Sequence, residues 1–311
     1  MEKGIVRQEE EFGKDFGLIH EVVVTGRKAG ATKEFWAKLA HDENLFCLVI
    51  KQVLSEEGWL ENILARERQC HRDFFDREFD LSEFKKTLQK YGQKKIMEWQ
   101  KFSLEPHFLP EVIISQDANF RGWKIKLESW FWQKIAKGGI LRQAGNELVP
   151  IKEVRLDGIS VLIDTRLKPA YNAGRQMYKN DNLLGPVIER LREAGRIAKY
   201  EFGPQYSRFG VSADEWESYI KPALAEKLGL EASQLRLERF IEANTIPQIY
   251  SSTPRKSDGG TDTWVWYEEY FGGRAYRLSG GYSHFGGLAA VRYDSSGDHW
   301  RSRSFRPLAV L

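Results

Sequence analysis

"GGYSHFGGLAAVRYDSSGDHWRSRSFRPL" occupies Gly280–Leu308, close to the end of a 311-residue chain. It sets aromatics, serines, arginines and aspartates on a glycine-rich backbone. From Arg274 to Leu311 there is no Lys and no Glu, whereas the preceding 273 residues carry 23 Lys and 30 Glu. At that density about seven would fall here. A buried sheet would exclude both residue types. Yet Arg292, Arg301, Arg303, Asp294, Asp298 and five serines lie between Gly281 and Ser304, so the segment is polar. A binding surface accounts for it better. Tyr, Ser, Gly, Trp and Arg give rigid aromatic contact and adaptable hydrogen bonds, while Lys and Glu are depleted at interface cores.

Codons offer a second, compatible cause. If the adenines of AAC or AAT template codons are randomised, the resulting codons end in a pyrimidine and encode neither Lys, Glu, Gln, Met nor Trp. The segment obeys this rule except at Trp300.

Upstream, the second half reads strand, helix, helix, loops, strands. "ISVLID" from Ile159 is a continuous apolar run, the signature of a buried strand. "PVIERLREAG" is a helix with Pro186 in its first turn, Leu184, Val187, Ile188 and Leu191 on one face and Gly195 beyond its end. "SADEWESYIKPALAEKLG" opens on a Ser212–Glu215 capping box, kinks or splits at Pro222 and closes at Gly229. Pro- and Ser-bearing loops follow, including "SSTPRKSDGGTD", and then short aromatic, β-branched runs broken by glycines.

The first half is mainly helical in pattern. A short strand is expected at "LIHEVVVTG" (Leu18–Gly26). A helix starts after Thr32, and another, "DLSEFKKTLQKY", has Asp80 and Glu83 at capping-box spacing. Its lysines read as a solvated face. Trp123, Trp130 and Trp132 could form a stacking platform, and packing in the core is the plainer reading. A domain boundary is expected near residue 150, between a helical accessory region (1–150) and a C-terminal domain (151–311).

The composition excludes several classes. Hydrophobic residues are 41% and charged residues 29%, enough for a packed core. A formal charge of +3 and a pI near 8.6 argue against nucleic acid as partner. No apolar run reaches membrane-spanning length, and the N-terminus has no Sec-type signal pattern, so no membrane insertion is expected. Cytoplasmic location is the default, with surface or virion display left open. The six histidines and two cysteines show no metal-ligand spacing, and no P-loop or GxSxG elbow is present. Glu268 and Glu269 are neighbours in a strand pattern and point to opposite faces, so they do not make a carboxylate pair. No catalytic residue, metal or cofactor is expected.

Three stretches carry a resemblance: "DTRLKPAYNAGRQMYKNDNLLGPVIERLREAGRI", "SRFGVSADEWESYIKPALAEKLG", and Thr261 to the C-terminus. With Gly280-Gly281, Gly286-Gly287-Leu288 and Phe305-Arg306-Pro307-Leu308, they resemble the variable proteins of diversity-generating retroelements. The similarity is greatest to the group from uncultivated small-genome bacteria and archaea. It covers about residues 120–311. Ser304 stands where that family usually has Gly, and "SSGD" where it often has Trp-Ser-Asp.

The resemblance implies an α+β chain with a C-type lectin-like fold, related to formylglycine-generating enzymes, and a variable region at about 274–308. It implies a non-enzymatic binding protein for a protein or cell-surface ligand. Gly280, Gly281, Gly286, Gly287, Leu288, Val291, Phe305, Arg306 and Pro307 would be scaffold. Tyr282, His284, Phe285, Ala289, Ala290, Arg292, Tyr293, Asp294, Ser295, His299, Trp300, Arg301, Ser302 and Arg303 would form the exposed variable face. Three alternatives stand beside this. A formylglycine-generating-type enzyme would need cysteines in the C-terminal domain, and both cysteines precede residue 71. A calcium-dependent sugar site would need the EPN or QPD and WND triplets, which are absent. A nucleic-acid-associated module would lie in the N-terminal half.

Overall fold

The structure is a computed structural model. It describes residues 20, 22–28, 30–46, 49, 56–166, 181–250, 263–282 and 287–311. The chain divides into two compact units, Met1–Glu61 and Asn62–Leu311. The boundary expected near residue 150 falls within the second unit. Strands from both sides of that point share one sheet, a long-range pairing that local sequence pattern does not reveal.

In the first unit, residues 22–28 form helix α1. Of the strand expected at Leu18–Gly26, the described residues 20 and 22–26 are helical instead, and the rest lie outside the described residues. Consecutive valines favour a strand only where a partner exists, and a helix satisfies its own backbone. Helix α2 (Lys33–His41) starts as expected: the Thr32 hydroxyl accepts the Phe35 N–H at 3.2 Å.

Next come α3 (Glu56–Phe75) and α4 (Ser82–Gln100). The capping box expected at Asp80 and Glu83 does not form. Asp80 accepts from the backbone N–H and hydroxyl of Ser82, and Glu83 pairs with Lys86. Phe84 and Leu88 are buried, as the apolar stripe requires. Then follow β1 (Leu104–Ile113), α5 (Ser129–Ala136), β2 (Ile140–Ala144), β3 (Glu147–Pro150) and β4 (Arg155–Asp164). Helix α6 (Leu184–Glu193) has Pro186 in its first turn.

Helix α7 runs from Ala213 to Leu228 and opens on the Ser212–Glu215 capping box. A π turn at Trp216–Ile220 accommodates Pro222, and Gly229 closes the helix at φ 65°. β5 (Leu235–Leu237) is followed by α8 (Phe240–Ile249). The sequence reads this last stretch as loops. It is a helix buried on almost every side, which leaves no apolar periodicity to read. The chain ends with β6 (Trp264–Phe271), β7 (Tyr276–Gly280), β8 (Val291–Ser295), β9 (Arg303–Phe305) and β10 (Pro307–Val310).

These strands make two sheets. One is antiparallel in the order β1-β4-β10-β5. The other runs β3-β2-β6-β7-β8, with β9 lying parallel to β6. The chain passes from one sheet to the other at Phe305-Arg306-Pro307. One core lies against both sheets, built from Phe74, Phe131, Val161, Ile163, Phe240, Ile246, Leu278, Val291 and Leu308. The architecture is α+β, in the expected order of strand, two helices and short strands, with α8 added. No described helix is long and apolar enough to cross a membrane.

Candidate functional site

The frame of the C-terminal segment is built first from what cannot move. Phe305 is buried against Trp216, with ring centroids 4.9 Å apart. Arg306, at the crossover between the sheets, donates to the carbonyls of Asp164 (2.9 Å) and Arg166 (3.0 Å). The Asp164 carboxylate meets Arg166 at 2.9 Å and Arg208 at 3.4 Å. Burial by itself would raise the Asp164 carboxyl. The guanidinium groups of Arg306, Arg166 and Arg208 outweigh it and hold the group far below the usual carboxylate range. At Gly280 a Cβ would stand 2.7 Å from the Ala290 carbonyl oxygen and 2.9 Å from the Tyr267 ring, so the β7–β8 hairpin closes only on glycine.

The loop between β8 and β9 hangs on this frame by its backbone. The Ser296 carbonyl accepts from the Asp214 N–H, and its hydroxyl reaches the Asp214 carboxylate at 3.1 Å. The Tyr200 hydroxyl donates to the Arg301 carbonyl at 3.0 Å. The N–H groups of Trp264 and Gly210 reach the carbonyls of Ser302 and Arg303, each at 3.0 Å. The main chain is held by residues outside the segment, which leaves the loop's side chains less constrained.

The expected face divides accordingly. Arg292, Tyr293, His299, Trp300 and Arg301 are exposed. Tyr282, Ala289, Asp294, Ser295 and Ser302 are partly buried. His284 and Phe285, with scaffold Gly286, lie outside the described residues. Ala290 and Arg303 are corrections, because both are buried. Ala290 packs at the close approach of the hairpin. Arg303 sits over Trp266, its guanidinium carbon 4.3 Å from the ring centre, and pairs with Asp294 at 2.6 Å. The alternation of "RSRSF" suggests neither.

The exposed residues gather beside two different neighbours. Tyr293 stacks on Phe271 at 4.0 Å and 20°, near Trp130 and Tyr276. Arg292 pairs with Glu128 at 2.7 Å. Trp130 is thus half core and half platform, whereas Trp123 is buried. His299, Trp300, Arg301 and Asp298 instead line an open groove of about 430 Å³ with Phe202. The hydrogen bond with Glu215, at 3.0 Å, raises the His299 pKa. Phe202 was not picked out by sequence, because the groove joins two loops about a hundred residues apart. Its one local signal is an aromatic beside a Gly-Pro turn.

Perturbed groups elsewhere are turned inward. Glu67 holds His107 at 2.9 Å, and His71 bonds the Phe108 carbonyl, all three side chains being buried. Burial pushes the Cys70 thiol up to about 11, the opposite of an activated nucleophile. Burial also raises the Glu269 carboxyl to about 7, where it accepts the Phe240 N–H. Glu268 and Glu269 contact different partners, in keeping with opposite faces of β6. Among the described residues no group of three or more His, Cys, Asp or Glu could hold a metal ion. No family model, curated protein or solved structure matches this chain.

Proposed function

We propose that this chain is a non-enzymatic binding protein whose C-terminal unit presents a face diversified by a retroelement. Its partner would be a protein or a cell-surface ligand. One observation carries the reading: a buried frame and a set of exposed side chains alternate along a single short segment. Val291, Phe305, Arg306 and Leu308 are buried, while Arg292, Tyr293, His299, Trp300 and Arg301 stand outside on a backbone tied down by other elements. Such a segment can change its outward side chains without changing its fold. Large exposed aromatics mixed with arginine are the composition of a contact surface. The lectin-like fold belongs to the same proposal. It is supported by the order of β4, α6, α7 and the closing short strands, and by the pairing of β10 with β4.

The test is the DNA around the gene. We expect a reverse-transcriptase gene and a template repeat nearly identical to the codons for about residues 274–308, mismatched only at template adenines. A locus without them would overturn diversification and leave an ordinary binding domain.

A further inference from the structure

The groove beside Trp300 has two walls from distant parts of the chain. Phe202 comes from the 198–209 loop, and Asp298, His299, Trp300 and Arg301 come from the β8–β9 loop. One carboxylate joins the two loops. Glu215, in the first turn of α7, accepts the Ala198 N–H at 2.6 Å and bonds His299 Nε2 at 3.0 Å through the same oxygen, Oε1. Its other oxygen, Oε2, accepts the Ser212 N–H at 3.0 Å and completes the capping box. The cap thus fixes the carboxylate, and the carboxylate fixes one point on each wall. Of the three groups bonded to it, the two backbone N–H groups cannot change charge. His299 can, and its side chain is 40% exposed against 13% for Glu215.

Charged groups surround His299 on every element packed near it. Helix α7 supplies Glu215 and also Asp214, which is bonded to Ser296 through its carboxylate and its N–H. The β8–β9 loop itself adds Asp298 and Arg301, of opposite sign, and the 198–209 loop adds exposed Lys199 and Glu201, also of opposite sign. Helix α6 contributes the buried Arg192, whose guanidinium is spread over the carbonyls of Ala198, Gln205, Ser207 and Phe209. The Glu215 hydrogen bond, with the Glu215 and Asp298 charges behind it, raises the His299 pKa against burial and against Arg192. Burial alone would raise the Glu215 carboxyl, but the bonds from His299, Ala198 and Ser212 hold it below its ordinary value. Glu215 therefore stays ionised over the whole interval in which the imidazole titrates.

We propose that His299 and Glu215 form a pH-dependent clamp between the two walls of the groove. With the imidazole protonated, a charge-assisted bond holds the β8–β9 loop to the oxygen that also holds the start of the 198–209 loop. With the imidazole neutral, only an ordinary hydrogen bond at a half-exposed site remains, and the two loops move more independently. The sign follows from the direction of the shift: the clamp is fully engaged below about pH 6.5, the ordinary histidine value, and is lost as pH rises through the higher folded value. The Tyr200 bond to the Arg301 carbonyl does not involve the imidazole, so the walls loosen without parting. His299 lies in the segment expected to vary and Glu215 does not, which makes the clamp a property of this copy. A groove fixed before contact binds at a lower ordering cost, so pH sets how ready it is to bind. That consequence rests on the binding-face reading, whereas the clamp does not.

The test needs no partner, so its outcome is separate from that of the binding-face reading. Amide hydrogen exchange is measured by NMR on the full chain at pH 5.5 and pH 8, each rate corrected for intrinsic exchange, for wild type and H299Q. The His299 ring is titrated in parallel. Glutamine keeps a donor toward Glu215 and carries no charge at either pH. The reporters are the N–H groups of Ala198, bonded to Glu215, and Asp298, bonded to the Ser295 carbonyl, one on each wall. In wild type we expect protection at both to fall about threefold from pH 5.5 to pH 8, the size of effect of a half-exposed ion pair. In H299Q it should be low and equal at both pH values, and the wild-type ring should titrate above the ordinary histidine value. Changes in global stability from other groups reach both proteins alike, so the difference between them is decisive. Equal protection at the two pH values in wild type, the same fall in H299Q, or a ring that titrates below the ordinary value overturns the clamp. A difference between the proteins spread evenly over β4 and β10 also overturns it, because the effect would then be global.

Discussion

Arg303 and Arg306 lie three residues apart, on β9 and just before β10, and both are buried. Their surroundings differ. Arg306 donates to two carbonyls beside Asp164, whose carboxylate is itself met by Arg166 and Arg208, while Asp181 binds Arg208. Arg303 has one carboxylate, the Trp266 and Trp300 rings at 4.3 Å and 5.9 Å, and two nitrogens without a hydrogen-bond partner. A buried donor without an acceptor destabilises the fold by about 1–3 kcal/mol. A closed network therefore marks the part of the segment that builds the fold, and an open one the strand that follows the exposed β8–β9 loop.

The contrast breaks or holds on paired substitutions. R306M strands two carbonyls and removes a neighbour of a buried carboxylate, so we expect a loss of about 3–5 kcal/mol in urea unfolding. R303M removes a charge that is poorly matched, and Asp294, partly exposed, keeps the Ser279 hydroxyl at 2.9 Å. Its stability should stay within about 1 kcal/mol of wild type. Equal losses for the two would erase the distinction between frame and face.

A pH effect of similar size comes from the frame alone. Glu269 is fully enclosed at the start of α8, and burial lifts its carboxyl to about 7. Between about pH 4.5 and pH 7 the folded protein keeps a proton that the unfolded chain releases. Stability therefore falls as pH rises through that window and levels off above it. The shift corresponds to about 3 kcal/mol. E269Q should remove this fall, seen as the difference between wild-type and variant urea midpoints from pH 5 to pH 8. Parallel curves would mean that Glu269 is ionised throughout. His299, at the face, acts with the same sign: its raised pKa contributes stability at low pH that is lost as pH rises through the folded value.

How much of this was legible beforehand follows the range of each interaction. Helix α7 carries its own capping box and α6 has Pro186 in its first turn and an apolar face, so a local reading finds them. Arg306 beside Phe305 and Pro307 reads correctly as buried scaffold. Arg303 does not, because its burial comes from Trp266, a residue brought alongside only by the parallel pairing of β9 with β6. The joining of β1 to β4 escapes notice for the same reason, and α8 because it is apolar on every side. Of the groove, the sequence picks out His299, Trp300 and Arg301 and misses Phe202, whose relation to them exists only after Tyr200 has bridged the loops.

The smallest expected effects sharpen the contrast from the other side. Arg292, Trp300 and Arg301 are exposed, and the backbone beneath them is held by Glu128, Tyr200, Trp264 and Gly210, with the Arg292 guanidinium adding one bond to the Val291 carbonyl at 2.6 Å. Truncating each to alanine removes an exposed side chain and leaves those outside anchors in place. Each should shift stability by less than about 0.5 kcal/mol. The Arg292–Glu128 pair, with its arginine 44% exposed, belongs to the class of surface ion pairs that contribute little. The triple variant should melt within a few degrees of wild type by circular dichroism and keep its near-ultraviolet spectrum. A large loss would mean that these side chains hold the loop in place, and a segment of that kind could not vary freely. Tyr293 is the intermediate case: stacked on Phe271 yet open to solvent, it should cost more than Trp300 and less than Phe305 when truncated, because only one of its faces is packed.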